Sequence, residues 1–176
     1  MKKIILIILV AIAFAACQKN GTNSPKPVTP TKDTIPDGAS LRMQLVKDSS
    51  KYYEILVHFN HTFHLVRNYN NDEDAIVPGG DPNLDLSAIS SDGYLLSVDG
   101  VPYTPGLSIP LKGSAANGPY FLRASHLVNM PSSIHIWCKD NYLKDSLDLR
   151  TGNYHFNVDN ADTNSFGKNR FRIVLR

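Results

Sequence analysis

The sequence predicts an all-β domain, an antiparallel β-sandwich of jelly-roll or Ig-like type with about 8–10 strands. Three observations lead there. Short runs with a period of two, rich in valine, isoleucine, phenylalanine and tyrosine, recur from residue 40 to the last residue. Each run closes on a cluster of Gly, Pro, Asn or Asp. No window of a dozen residues carries a helical stripe before a proline or glycine interrupts it. Many short strands with turns between them favour a sandwich over a parallel α/β sheet.

The predicted strands, in order, are 41–47 (LRMQLVK), 52–59 (YYEILVHF), 94–99 (YLLSVD), 107–112 (LSIPLK), 119–125 (PYFLRAS), 133–139 (SIHIWCK), 145–150 (DSLDLR), 153–158 (NYHFNV) and 169–175 (NRFRIVL). Together they fill one domain, 40–176, long enough to bury a core unaided. No internal repeat is present.

Ahead of this domain the chain has the layout of a secretory signal. Lys2 and Lys3 precede an apolar run from Ile4 to Phe14, then Ala15, Ala16 and Cys17. Eleven apolar residues are too few for a membrane-spanning helix, which needs about 20. The small-small-Cys ending resembles the lipobox of bacterial lipoproteins, although Phe14 stands where an aliphatic residue is usual. The resemblance implies cleavage after residue 16 and acylation of the Cys17 thiol. Residues 17–39 then form the lipidated cysteine and a tether, with Pro25, Pro27, Pro30 and Pro36 among polar residues and no hydrophobic period. At about 3.1 Å per residue such a chain reaches on the order of 60 Å. Two or more acyl chains would hold the protein stably on a membrane. The stretch after Cys17, QKNGTN, lacks the acidic residues that would resemble a surface-export signal.

Loss of the leader removes Lys2 and Lys3 and brings the formal charge from +2 to zero. A neutral chain without an arginine-rich helix lacks the long-range attraction that nucleic acid binding depends on. With Cys17 acylated, Cys138 has no intramolecular partner, so stability is expected from the core rather than from a disulfide.

Four stretches carry a wider resemblance: YYEILVHFN, EDAIVPGGDPNLDLSAISSDGYLLSVDGVP, IPLKGSAANGPYFLRAS, and the segment from Trp137 to Arg176. The blocks Lys144-Asp145-Ser146-Leu147-Asp148-Leu149, Tyr154-His155-Phe156 and Asn169-Arg170-Phe171 are the most specific. They resemble a recurrent β-sandwich domain of large cell-surface and adhesin-like proteins in Bacteroidetes-type bacteria. The resemblance implies a scaffolding or adhesive role at the cell envelope, with envelope proteins or extracellular polysaccharide as partners, and no catalytic residues. A carbohydrate-binding accessory lipoprotein of a glycan uptake system is the alternative. The expected location is the outer membrane.

A search for chemistry yields little. His58, His61 and His64 invite a metal reading, but strand alternation puts His61 on the opposite face from the other two unless a turn intervenes near Asn60. His126, His135 and His155 have no nucleophile in a recognisable frame, and Gly-x-Ser-x-Gly is absent. Asp72, Glu73, Asp74, Asp81 and Asp85, and further on Asp159 and Asp162, supply the hard oxygens that calcium prefers. Their spacing misses the calcium-loop pattern, and Asp, Asn and Gly also fill turns for conformational reasons. Solvated turns are therefore expected, and no cofactor. Alternation in 133–139 places Ile134, Ile136 and Cys138 toward the core and His135, Trp137 and Lys139 outward as the candidate ligand face. Trp137 is expected to be partly covered.

The anchor has a direct check. Cys17→Ser, which replaces the acylated thiol, should abolish partitioning into a detergent phase; partitioning equal to the parent chain would contradict the lipoprotein reading.

Overall fold

The computed structural model describes residues 34–61, 67–79 and 81–176, and every regular element among them is a strand. In chain order these are β1 (Ser40–Asp48), β2 (Lys51–Phe59), β3 (Ala75–Ile76), β4 (Leu84–Ile89), β5 (Leu95–Val101), β6 (Ser108–Ala115), β7 (Gly118–Val128), β8 (Ile136–Asp140), β9 (Asp145–Asp148), β10 (Tyr154–Val158) and β11 (Gly167–Leu175). Each of the nine predicted spans holds a strand; β3 and β4 were not predicted. The leader, Cys17 and the tether up to residue 33 lie outside the described residues. Ile35 and Ala39, at the end of the stretch read as tether, are fully buried in the core.

Hydrogen bonds join the strands into one sheet, in the order β10-β7-β1-β2-β5-β4-β6-β11-β8-β9, with β3 paired to β5 outside this path. All pairs are antiparallel except β2 with β5. The expected all-β class is observed, but the sheet is continuous and curls until it is nearly barrel-shaped.

The curl turns on β5. Val98 pairs with Leu56 of β2 and also with Ala75 of β3, while Leu96 pairs with Ala88 of β4 and also with Ile76 of β3. A strand has two edges, so β3 occupies one and β2 and β4 share the other, meeting near Ser97. From there one run of strands leads through β2 and β1 to β10, and the other through β4 and β6 to β9. Both runs bury the same core, in which Met43, Val57, Leu86, Ile109, Leu122, Ile136 and Ile173 are at most 1% exposed. Alternation is cleanest in β6 and β10, where every second residue is buried. Each such aliphatic side chain contributes about 1.5–3 kcal/mol.

One buried ion pair ties the two ends of this sheet together. Arg170 of β11 and Asp140 of β8 have side chains 1% and 0% exposed, with Arg170 Nη2 at 2.9 Å and Nε at 3.0 Å from Asp140 Oδ2. Tyr154 of the terminal strand β10 donates its hydroxyl to the same oxygen at 3.2 Å. Arg170 Nη1 donates to the carbonyl of Asn157, also in β10, at 2.9 Å and to the carbonyl of Ser165. The guanidinium lies over the rings of Phe156 and Phe171, whose centroids are 4.6 Å apart. A buried charge survives only when it is paired and its remaining donors are satisfied, and both conditions are met. Burial first, and then the Asp140 carboxylate, push the Tyr154 phenol well above its ordinary range.

Removing one partner strands the other charge. Arg170→Leu should therefore lower the free energy of unfolding by about 3–5 kcal/mol, and Tyr154→Phe by only about 1 kcal/mol. Urea unfolding followed by Trp137 fluorescence measures both; equal, small effects would contradict the assignment of the pair as the closing contact.

Candidate functional site

The Asp140 carboxylate has two oxygens and two tasks. While Oδ2 holds Arg170, Oδ1 accepts the amides of Tyr142 at 2.8 Å and Leu143 at 3.1 Å, and so shapes the turn between β8 and β9. Short acidic side chains bond their own backbone two residues on, which is why Asp begins such turns. Lys144 closes the turn with φ of 58°, a left-handed conformation unusual for a non-glycine residue. The hairpin tip thus projects Tyr142 and Leu143, 42% and 53% exposed.

Opposite the tip runs the connection from β10 to β11. Ser165 folds it back: its hydroxyl donates to the carbonyl of Asp159 at 2.7 Å and accepts the Asp159 amide at 2.9 Å. Asp162 spans the gap, accepting the Tyr142 hydroxyl at 2.7 Å and the amide of Asn164 at 2.9 Å. The Tyr142 hydrogen bond and the Asn164 amide hold the Asp162 carboxyl below its ordinary 3.8, and the same bond to Asp162 raises the Tyr142 phenol. With the Arg170 guanidinium 5.2 Å from its ring centroid, Tyr142 is held at its hydroxyl and at its face.

Between the tip and this connection lies a polar trough. Its centre is a cavity of about 390 Å³ bordered by Asn141, Tyr142, Lys144, Thr163, Asn164, Lys168 and Asn169. Across Tyr142 and Arg170 it adjoins a depression of about 290 Å³ that includes His155 and Asn157. At its other end, sharing Asn141, Lys168 and Asn169, a third depression of about 260 Å³ reaches Pro110 and Arg172. Ligand pockets run from about 300 Å³ upward and are mostly apolar; the central cavity reaches that size, and its lining is polar. The sequence reading took Asp159 and Asp162 as turn residues and had no reason to bring this connection next to the segment 141–144. The local signal was the run of amide and hydroxyl residues in both.

The outward set from 133–139 sits where alternation placed it. Ile134, Ile136 and Cys138 are at most 1% exposed, and burial pushes the Cys138 thiol far above its ordinary value. Trp137 is half-buried, with the Arg176 guanidinium 5.1 Å from its ring centroid. His135 Nδ1 lies 2.6 Å from Asp148 Oδ2. Lys139 stands across from Arg172 of β11, so this face adjoins the end of the trough.

The remaining candidates separate. Phe59 ends β2 and the chain turns at Asn60, but His58 Nε2 lies 3.2 Å from the Glu73 carbonyl, His61 Nδ1 lies 2.6 Å from Asp37, and His64 falls outside the described residues. Among the described residues no group of three or more His, Cys, Asp or Glu is arranged to hold a metal ion. In the acidic loops Asp81 accepts the amide of Asn83 at 2.8 Å and Asp74 that of Asn70 at 2.7 Å, as turn residues do, while Asp74 also ties its loop to β5 by accepting the amide of Gly100 at 2.7 Å. Asp85 lies within β4 rather than in a loop, buried and 3.6 Å from Lys112. No protein-family model, curated protein or solved structure matches the chain.

The Asp148 carboxyl gives the domain an acid limit. Burial alone raises it, but hydrogen bonds from His135 and from the amides of Arg150 and Ile136 outweigh this and hold it below 3.8. A depressed carboxyl contributes stability that is fully present above its unfolded value and is lost as pH falls through the folded one. Asp148→Asn should therefore unfold at lower urea at neutral pH and show a shallower loss of stability from about pH 4 downward. Parallel curves for variant and parent would contradict the shift.

Proposed function

We propose that the chain is a non-enzymatic lipoprotein of the bacterial envelope, anchored to the outer membrane through Cys17, whose β domain serves adhesion, surface structure or capture of an extracellular polymer. The observation that carries this reading is the order of segments: leader, small-small-Cys, proline-rich tether, then one domain. Such an arrangement holds a domain away from a membrane without fixing its orientation. The finer fold proposal is that the curled sheet works as a two-layer sandwich, β10-β7-β1-β2-β5 against β4-β6-β11-β8-β9, divided at β5. Its open strand ends carry loops for contact, among them those bordering the trough.

A second reading, a carbohydrate-binding accessory lipoprotein, is favoured by the trough itself, where an exposed tyrosine lies among Asn, Thr and Lys side chains. Aromatic faces stack on apolar sugar faces while amides exchange hydrogen bonds with hydroxyls.

Deletion and complementation test the main proposal. Cells lacking the protein should attach less to surfaces or aggregate less, and the parent chain should restore this while Cys17→Ser should not. Protease added to intact cells should release the domain. Unchanged attachment in the deletion strain, with the domain protected until cells are lysed, would contradict a surface role.

A further inference from the structure

Three features of the trough point to one class of ligand. The first is shape. Its three depressions share walls with the central one in the middle: Tyr142 and Arg170 lie between it and the second, and Asn141, Lys168 and Asn169 between it and the third. Together they form an elongated path, suited to a chain more than to a compact molecule.

The second is charge. Lys144, Lys168 and Arg172 border the path, are exposed, and form no ion pair among the described residues. None of the neighbouring carboxylates pairs with them: Asp140 is taken by Arg170 and Tyr154, Asp162 accepts from Tyr142 and Asn164, Asp159 from the amide of Ala161 and Asp145 from the amide of Ser146. Lys144, Lys168 and Arg172 therefore present ammonium and guanidinium groups without an ion-pair partner among the described residues, and charge complementarity matches them to anionic groups on a ligand.

The third is the Tyr142 ring, fixed by Asp162 and Arg170 at the boundary between two depressions. A ring already held in place loses little conformational freedom when a ligand stacks on it.

We propose that the trough binds an extended acidic polysaccharide, with Tyr142 stacking on a sugar ring, the asparagine amides meeting hydroxyls, and Lys144, Lys168 and Arg172 meeting carboxylate or sulfate groups. This rests on the polymer-capture reading above and specifies its ligand.

Isothermal titration of the full chain in detergent micelles tests it, using polygalacturonate and dextran sulfate, with dextran and xylan as neutral polymers. Saturable binding of the acidic polymers, weakening with added salt, is expected. The Lys168→Gln/Arg172→Gln double variant should weaken it by about tenfold or more, the loss expected for one or two charge-assisted contacts. Tyr142→Ala and Lys144→Asn, which keeps a residue tolerant of the left-handed turn, should also weaken it. Urea midpoints establish that the variants remain folded. Arg176→Gln and Trp137→Ala, at the opposite end of β8 and β11 from the hairpin tip, should bind as the parent does; weakening by these two instead would overturn the assignment to the trough. Neutral polymers binding as tightly would leave polymer capture standing but overturn the acidic specificity. Competition by phosphatidylglycerol vesicles would assign the trough to lipid headgroups and overturn the proposal. Failure to bind any polymer would overturn it and polymer capture together.

Discussion

The fold depends on a single carboxylate with no access to water. Asp140 is 2% exposed, and an isolated charge at that depth would be driven to neutralise. It persists because each oxygen is fully used, one by Arg170 and Tyr154 and the other by the amides of the β8–β9 turn. Arg170 in turn reaches the backbone of β10 and of the following connection. One ion pair therefore joins a hairpin tip, a terminal strand and a loop far apart in the sheet order. Those same three segments border the trough, so the contact that closes the sheet also sets the spacing of the candidate site.

The opposite constraint lies at β5. Two strands sharing one edge let a single hydrogen-bonded sheet enclose a core on both sides. The geometry has a cost at β4, where Asp85 and Ser87 are buried along with Leu86 and Ala88. Lys112, in the neighbouring strand, lies 3.6 Å from Asp85 and offsets part of it. The outer face of the other run is held differently. Glu54 accepts from Arg42, Gln44 and Ser125, and Arg123 extends the network to Gln44. Burial raises the Glu54 carboxyl, but these bonds outweigh it and leave the group below its ordinary value.

Most strands were legible because period two survives wherever one face is wet. Ile134, Ile136 and Cys138 turned inward as alternation required. β4 was not legible for the opposite reason: LDLSAI is short, follows a loop rich in Gly, Asp and Pro, and carries an aspartate that reads as part of an acidic turn. Burial on both faces hid its polar residues. Arg170 was illegible in another way. Alternation through NRFRIVL puts Phe171, Ile173 and Leu175 inside and sends Arg170 out with Arg172. The pairing of β11 with β6 shifts register between Gly167 and Phe171, and both Arg170 and Phe171 are buried. An irregularity of this kind reverses which side a residue faces. Without Arg170 inside, nothing in the sequence links 140–144 to 159–166, and so the trough could not be foreseen.

The central claim is that the Asp140–Arg170 contact acts locally on these three segments as well as on overall stability. Hydrogen–deuterium exchange of Asp140→Asn, which keeps the shape and removes the charge, tests this most directly. The account predicts faster exchange in β10, in the β8–β9 turn and across 159–166, while amides shared by β1 and β2 keep their protection. Unchanged exchange in those three segments, or an equal acceleration in every strand, would contradict it.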